Sequence, residues 1–107
     1  FDYKKLKFLN KDAIVINVSR GKLLCLDALY QCIKEKKIFG AGLDVADPEP
    51  LPKNHKLFKL ENFVYSPHIA GISDNFAFRN FDLIINNITR FLNGKELLNK
   101  VNLKLGY

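Results

Sequence analysis

No apolar run in this 107-residue chain approaches the ~20 positions of a membrane-spanning helix, and its start carries no secretory signal pattern. A membrane-embedded role is therefore not expected. Cysteine is scarce: Cys25 and Cys32 stand apart, with no second pair and no CxxC spacing. That excludes a disulfide framework and reads each as a buried or half-buried reduced thiol of a cytosolic protein. Histidine occurs only as His55 and His68, which leaves no metal-ligand cluster to assemble. Internal repeats, linkers and low-complexity segments are absent too, which excludes a repeat array or an unstructured tail.

What remains is a globular composition, 48% hydrophobic and 26% charged, sufficient for one small domain with a real core. The net charge of +6 raises the question of nucleic acid. The lysines, however, are scattered (Lys4, Lys5 and Lys7; Lys34, Lys36 and Lys37; Lys53, Lys56 and Lys59) and no recognition module accompanies them. They read as a solvated basic surface, and no nucleic-acid partner is expected.

Along the chain, Asp2 to Asn10 reads as a short helix or its tail. Ala13 to Val18 is a continuous β-branched run, expected as a strand buried on both faces in a parallel sheet. Leu26, Leu29, Tyr30 and Ile33 recur with the spacing of an amphipathic helix, closed by Lys34, Lys36 and Lys37 at its negative pole. Cys25 sits where that helix begins and is a poor cap. Ile38 to Val45 and Phe63 to Ser66 are further strands. Strand, helix, strand predicts an α/β fold with a right-handed parallel crossover. Asp74 to Leu92 is a long helix with an apolar face of Ala77, Phe81, Ile84, Ile85, Ile88 and Phe91. Ser73 or Asp74 is expected to cap its start and Gly94 its end, followed by an apolar tail, Leu97 to Tyr107.

Three runs end in polar, reactive side chains. Ile14-Val15-Ile16-Asn17-Val18-Ser19 leads to Arg20, and Tyr65-Ser66-Pro67 leads to His68. Between them Gly40-Ala41-Gly42-Leu43-Asp44-Val45 leads to Glu49, which stands between Pro48 and Pro50 and is expected on a stiff, extended loop. In open α/β sheets ligands bind outside the carboxyl ends of the strands. An arginine can grip a carboxylate through two parallel hydrogen bonds. An imidazole can exchange a proton near neutral pH, and a carboxylate beside it favours the imidazolium and selects which ring nitrogen faces outward.

The motifs N-V-S-R-G, G-A-G-L-D-V-x-x-x-E-P-L-P and S-P-H-I-A-G, in this order, resemble the D-isomer-specific 2-hydroxyacid dehydrogenases. The resemblance runs from about Leu6 to Tyr107, and the tail is similar to the glyoxylate/hydroxypyruvate reductase-like branch. It implies part of a Rossmann-type parallel sheet. Residues 1–72 would be the C-terminal half of an NAD(P)-binding domain, and residues 73–107 a helix and tail returning to a substrate domain. It implies Arg20, Glu49 and His68 as catalytic residues. Val18, Ser19, Arg20, Asp44, His68 and Gly71 would meet the cofactor, with Asp44 on the nicotinamide carboxamide. NAD or NADP is the implied cofactor, a small 2-hydroxy or 2-keto acid the substrate, and a cytoplasmic homodimer the full-length enzyme. Ala46 stands where the family often carries an aromatic residue.

Gly40-x-Gly42 imitates the start of a dinucleotide fingerprint, but Val45 holds the third glycine position and no helix is expected to open there. The family's glycine-rich loop lies upstream of the matched region, so the chain is read as a fragment of a longer enzyme. The alternative is a truncated, non-catalytic dinucleotide-fold module acting in subunit association or as a binding protein.

Overall fold

A computed structural model describes residues 1–106, which form two compact units, Phe1–Ala70 and a second from Gly71 onward. In the first, α1 (Tyr3–Leu6) is followed by β1 (Ile14–Asn17), α2 (Leu26–Lys34), β2 (Gly40–Leu43) and β3 (Phe63–Tyr65). Short 3₁₀ turns at Gly21–Leu23 and Lys56–Lys59 join them. The three strands make one parallel sheet in the order β1-β2-β3. The α/β expectation is met.

Local chemistry explains the elements. Asp2 caps α1 by accepting the Lys5 N–H at 3.0 Å. Cys25 stands at the N-cap of α2 and makes no side-chain bond there, as its chemistry predicts. His55 plays a structural part, its Nδ1 accepting the Leu57 N–H at the start of the second 3₁₀ turn.

The core lies between one face of the sheet and the helices. Leu6, Leu29, Cys32 and Leu57 are wholly buried there with Ile38, Ala41, Leu43 and Leu51 around them. Each such leucine contributes about 1.5–3 kcal/mol relative to exposure. The opposite face differs from expectation. Ile14, Ile16 and Val64 are more than half exposed, so β1 is covered on one face only. The reason is topological: within this unit α1, α2 and the Lys56–Lys59 turn all pack on the same side.

The two cysteines also separate. Contrary to expectation Cys25 is exposed, because it stands at the N-cap ahead of the buried stripe of α2. Cys32, on that stripe, is buried, and that burial first, with the Glu35 charge, pushes its thiol up. Limited treatment of the native protein with iodoacetamide should modify Cys25 and spare Cys32, as peptide mass mapping would read. Equal labelling would contradict this packing.

The second unit is α3 (Phe76–Leu92) with its tail. Asn75 occupies the N-cap without a side-chain bond. Ser73 contributes through its carbonyl, which accepts the Phe76 N–H, so neither Ser73 nor Asp74 caps the helix as expected. A turn over 73–76 closes before the helix begins, taking the place of a side-chain cap. The other end is as predicted: Gly94, at φ +62, accepts the left-handed turn that ends the helix. Gly94 N–H then donates to Phe91 O and Lys95 N–H to Arg90 O, satisfying the last carbonyls. The tail returns onto α3, where Leu98 N–H donates to Asn87 Oδ1 at 2.7 Å. The apolar residues of α3 share the expected face, and none of them is buried.

Candidate active site

Because the strands are parallel and in register (Asn17 beside Leu43, Leu43 beside Tyr65), their carboxyl ends reach one edge together. The chain leaves that edge three times: at Val18–Arg20, at Asp44 and at Ser66–His68. This is how residues distant in sequence come to share a site.

At the first exit, Asn17 is buried and shapes the turn. Its Oδ1 accepts the Ser19 N–H at 3.1 Å, and its Nδ2 donates to Arg20 O at 2.9 Å. This Asx-type turn presents Arg20 to solvent. Arg20 Nη1 donates to Ser19 O at 2.7 Å, leaving the rest of the guanidinium fork free. Val18 is exposed beside it and offers an apolar surface.

At the second exit, Asp44 is 4% exposed yet hydrogen-bonded through both carboxylate oxygens. Its Oδ1 accepts the Ser66 hydroxyl at 2.6 Å and the Ile69 N–H at 2.9 Å, and its Oδ2 accepts the Ala70 N–H at 2.9 Å. The Ser66 hydrogen bond, then the two backbone donors and the nearby imidazole, hold this carboxyl below the usual carboxylate range; burial opposes them. The loop that follows is bent through 47–50 rather than extended, with cis peptides before Pro48 and Pro50. Leu51, buried, anchors its far end, its N–H donating to the Tyr65 hydroxyl at 3.2 Å.

The third exit meets the second. His68 Nδ1 lies 2.8 Å from Glu49 Oε1, both side chains partly exposed. Glu49 in turn lines a cleft of about 450 Å³ with Arg20, Gly21, Lys22, Ala46 and Asp47. Glu49 thus links the two, lining the cleft with Arg20 while it bonds the His68 ring, with Val18, Ser19 and Asp44 at the same sheet edge. Asp47 also lines the cleft. Gly71 is the first residue of the second unit, with open space where a Cβ would stand. Gly40 and Gly42 lie in β2 and open no helix, so they form no phosphate loop. Two contributors escaped sequence reasoning: Asn17 and Ser66. Each sits inside a quoted motif, but nothing local to it announces its partner.

Chemically, the arrangement can hold an anion at Arg20 and move a proton at His68. The donor set suits the nicotinamide end of a dinucleotide: an apolar surface at Val18, and one acceptor position left on Asp44 Oδ2. No metal-ligating cluster of His, Cys, Asp and Glu exists among the described residues, and none of the described helices is long and apolar enough to cross a membrane.

Comparison with known proteins agrees with this fold. Residues 1–70 match the family model "D-isomer specific 2-hydroxyacid dehydrogenase, NAD binding domain". Glyoxylate reductase of Korarchaeum cryptofilum is 40% identical over 99 residues, 92% of this chain and 30% of that protein. Glyoxylate reductase/hydroxypyruvate reductase of Homo sapiens is 39% identical over 101 residues, 94% of this chain and 30% of that protein. Among solved structures, the NADPH-dependent glyoxylate/hydroxypyruvate reductase of Sinorhizobium meliloti, in complex with NADP and sulfate, superposes with a TM-score of 0.85. It is 28% identical, and the match covers 100% of this chain and 35% of that one. A D-isomer specific 2-hydroxyacid dehydrogenase from Xanthobacter autotrophicus, in complex with NADPH and MES, gives 0.83 at 33% identity, covering 98% and 43%. The chain therefore spans about a third of the length of the curated relatives it matches.

Proposed function

The chain belongs to the D-isomer specific 2-hydroxyacid dehydrogenase family, and from that premise we propose that it carries the proton-transfer and substrate-holding residues of an NAD(P)-dependent reductase of small 2-keto acids. The observation that supports this most is the 2.8 Å approach of His68 Nδ1 to Glu49 Oε1 beside a cleft shared with Arg20. Glyoxylate and hydroxypyruvate are the substrates we favour, by similarity to the reductases above. In this reading residues 1–72 belong to the nucleotide-binding domain and residues 73–107 return toward a substrate domain.

Arg20 would take the substrate carboxylate in a two-point hydrogen bond and draw charge toward the adjacent carbonyl. With Nδ1–H donated to Glu49, Nε2 of His68 is the nitrogen left to give its proton to the carbonyl oxygen as the alcohol forms. Glu49 holds the ring in that tautomer. Val18, Ser19, Asp44 and the 68–70 segment would hold the nicotinamide, which would supply the hydride. Alignment of the two reacting carbons is then the sheet edge's contribution.

The test is oxidation of NADH and NADPH by the full polypeptide as its own cells make it, with glyoxylate and with hydroxypyruvate. Turnover with either pair is expected; none above background with all four would overturn the reading. Arg20→Lys should lower kcat/KM for the keto acid by roughly 10- to 100-fold, since an ammonium cannot reproduce the fork. The Kd for the dinucleotide, read by protein fluorescence quenching, should stay close to its original value. Unchanged saturation by the keto acid would remove Arg20 from its role.

A further inference from the structure

Asp44 does something in this chain that cofactor binding does not require. Four groups of one short loop converge on this single residue. The Ser66 hydroxyl and the Ile69 and Ala70 N–H groups take its carboxylate, and the His68 N–H donates to its backbone carbonyl at 2.8 Å. Between these tethers His68 stands at φ +57, in the left-handed region that a bulky residue rarely enters. It is the one described residue with a positive φ in the 66–70 loop. That backbone turn coexists with the placement of Nδ1 on Glu49. A carboxylate has about four acceptor positions, and three are already taken within the chain.

We propose that Asp44 and Ser66 are positioning residues: together they latch the 66–70 loop so that His68 keeps its left-handed backbone and its Nδ1 bond to Glu49. The proposal rests on the catalytic reading of His68 given above, and it assigns Asp44 a task beyond contact with the nicotinamide. Asp44 acts here through His68 and touches no reacting atom. Its carboxyl is held ionised by the same donors it latches, so the latch stays closed at neutral pH. Its burial, with only 4% of the residue exposed, keeps water from replacing those donors.

Ser66→Ala removes one tether and leaves the last acceptor position on Asp44 Oδ2 untouched; Ser66→Thr keeps the hydroxyl. The cofactor-free full polypeptide is read first, by long-range ¹⁵N–¹H NMR of the His68 ring at alkaline pH, where tautomers are distinguished directly. The wild type and Ser66→Thr should show the Nδ1–H tautomer, and Ser66→Ala a mixture. In turnover, Ser66→Ala should lower kcat on the order of 10- to 100-fold, the scale of a small misplacement of a reacting group, with KM for the dinucleotide unchanged. A persistent Nδ1–H tautomer in Ser66→Ala would overturn the latch, as would a raised dinucleotide KM at unchanged kcat. Because the ring spectrum needs no turnover, an inactive wild type would defeat the reductase reading while the spectrum still decided the latch.

Discussion

His68→Ala in the full polypeptide should reduce kcat by about 10²- to 10⁴-fold, the range that a positioned proton donor contributes. The dinucleotide Kd should change little, because the ring is held on Glu49 and is one of several groups proposed to meet the cofactor. Single-turnover mixing with bound NADH separates the two quantities. The contrast with Glu49→Gln is informative. An amide keeps a hydrogen-bond acceptor near Nδ1 but makes a weaker bond than the carboxylate, so a smaller loss is expected, confined to the proton-transfer step. Undiminished turnover by His68→Ala would mean that the proton comes from elsewhere, and the geometry joining His68 to Glu49 would lose its meaning.

Gly21→Ala should be the most damaging change to the fold near the site. A Cβ there would stand 2.0 Å from Ala46 O and 2.7 Å from Asp47 N, both backbone atoms that no side-chain rotation can clear. Either the Arg20 turn or the 46–47 segment must move. Overpacking of this kind costs about 1–3 kcal/mol, and an obstacle made of backbone places Gly21→Ala at about 3 kcal/mol. Urea unfolding should show the loss as a lower midpoint at unchanged slope. Since that same contact sets the spacing between Arg20 and Glu49, folded Gly21→Ala should also use substrate poorly. A variant as stable and active as the original would show that the two loops are not packed as described. The flexibility of Gly21 is secondary here: what the site needs is the absence of its side chain.

Much of this architecture is written locally. The β-branched run ending at Asn17, the apolar stripe from Leu26 to Ile33 and the glycine after α3 each declare an element, because hydrophobic period and backbone freedom act over a few residues. They led to the parallel α/β order, and the motif-borne residues Arg20, Glu49 and His68 pointed to the site. The misreadings have a common origin. β1 was expected to be covered on both faces because continuous apolar runs usually are; which face is covered depends on where helices pack, and a run of isoleucine and valine does not encode that. The start of α3 was assigned to Ser73 or Asp74 on side-chain chemistry, whereas the turn before it uses the Ser73 carbonyl.

Asp44 shows the boundary best. An acidic residue ending an apolar strand signals that a polar partner must exist, since an unpaired buried charge is costly. Which partner it has lies 22 to 26 residues away, in Ser66, Ile69 and Ala70. By itself, then, the sequence determined the elements, their parallel order and the chemical kinds of group at the sheet edge, because those follow from local period and residue type. The family resemblance already implied the pairing of Glu49 with His68; only the tertiary structure decided that Gly21 must be bare against Ala46 and that Asp44 ties down the loop carrying His68. Those contacts join chain segments through the register of the sheet, and register is a property of packed strands, not of any one of them.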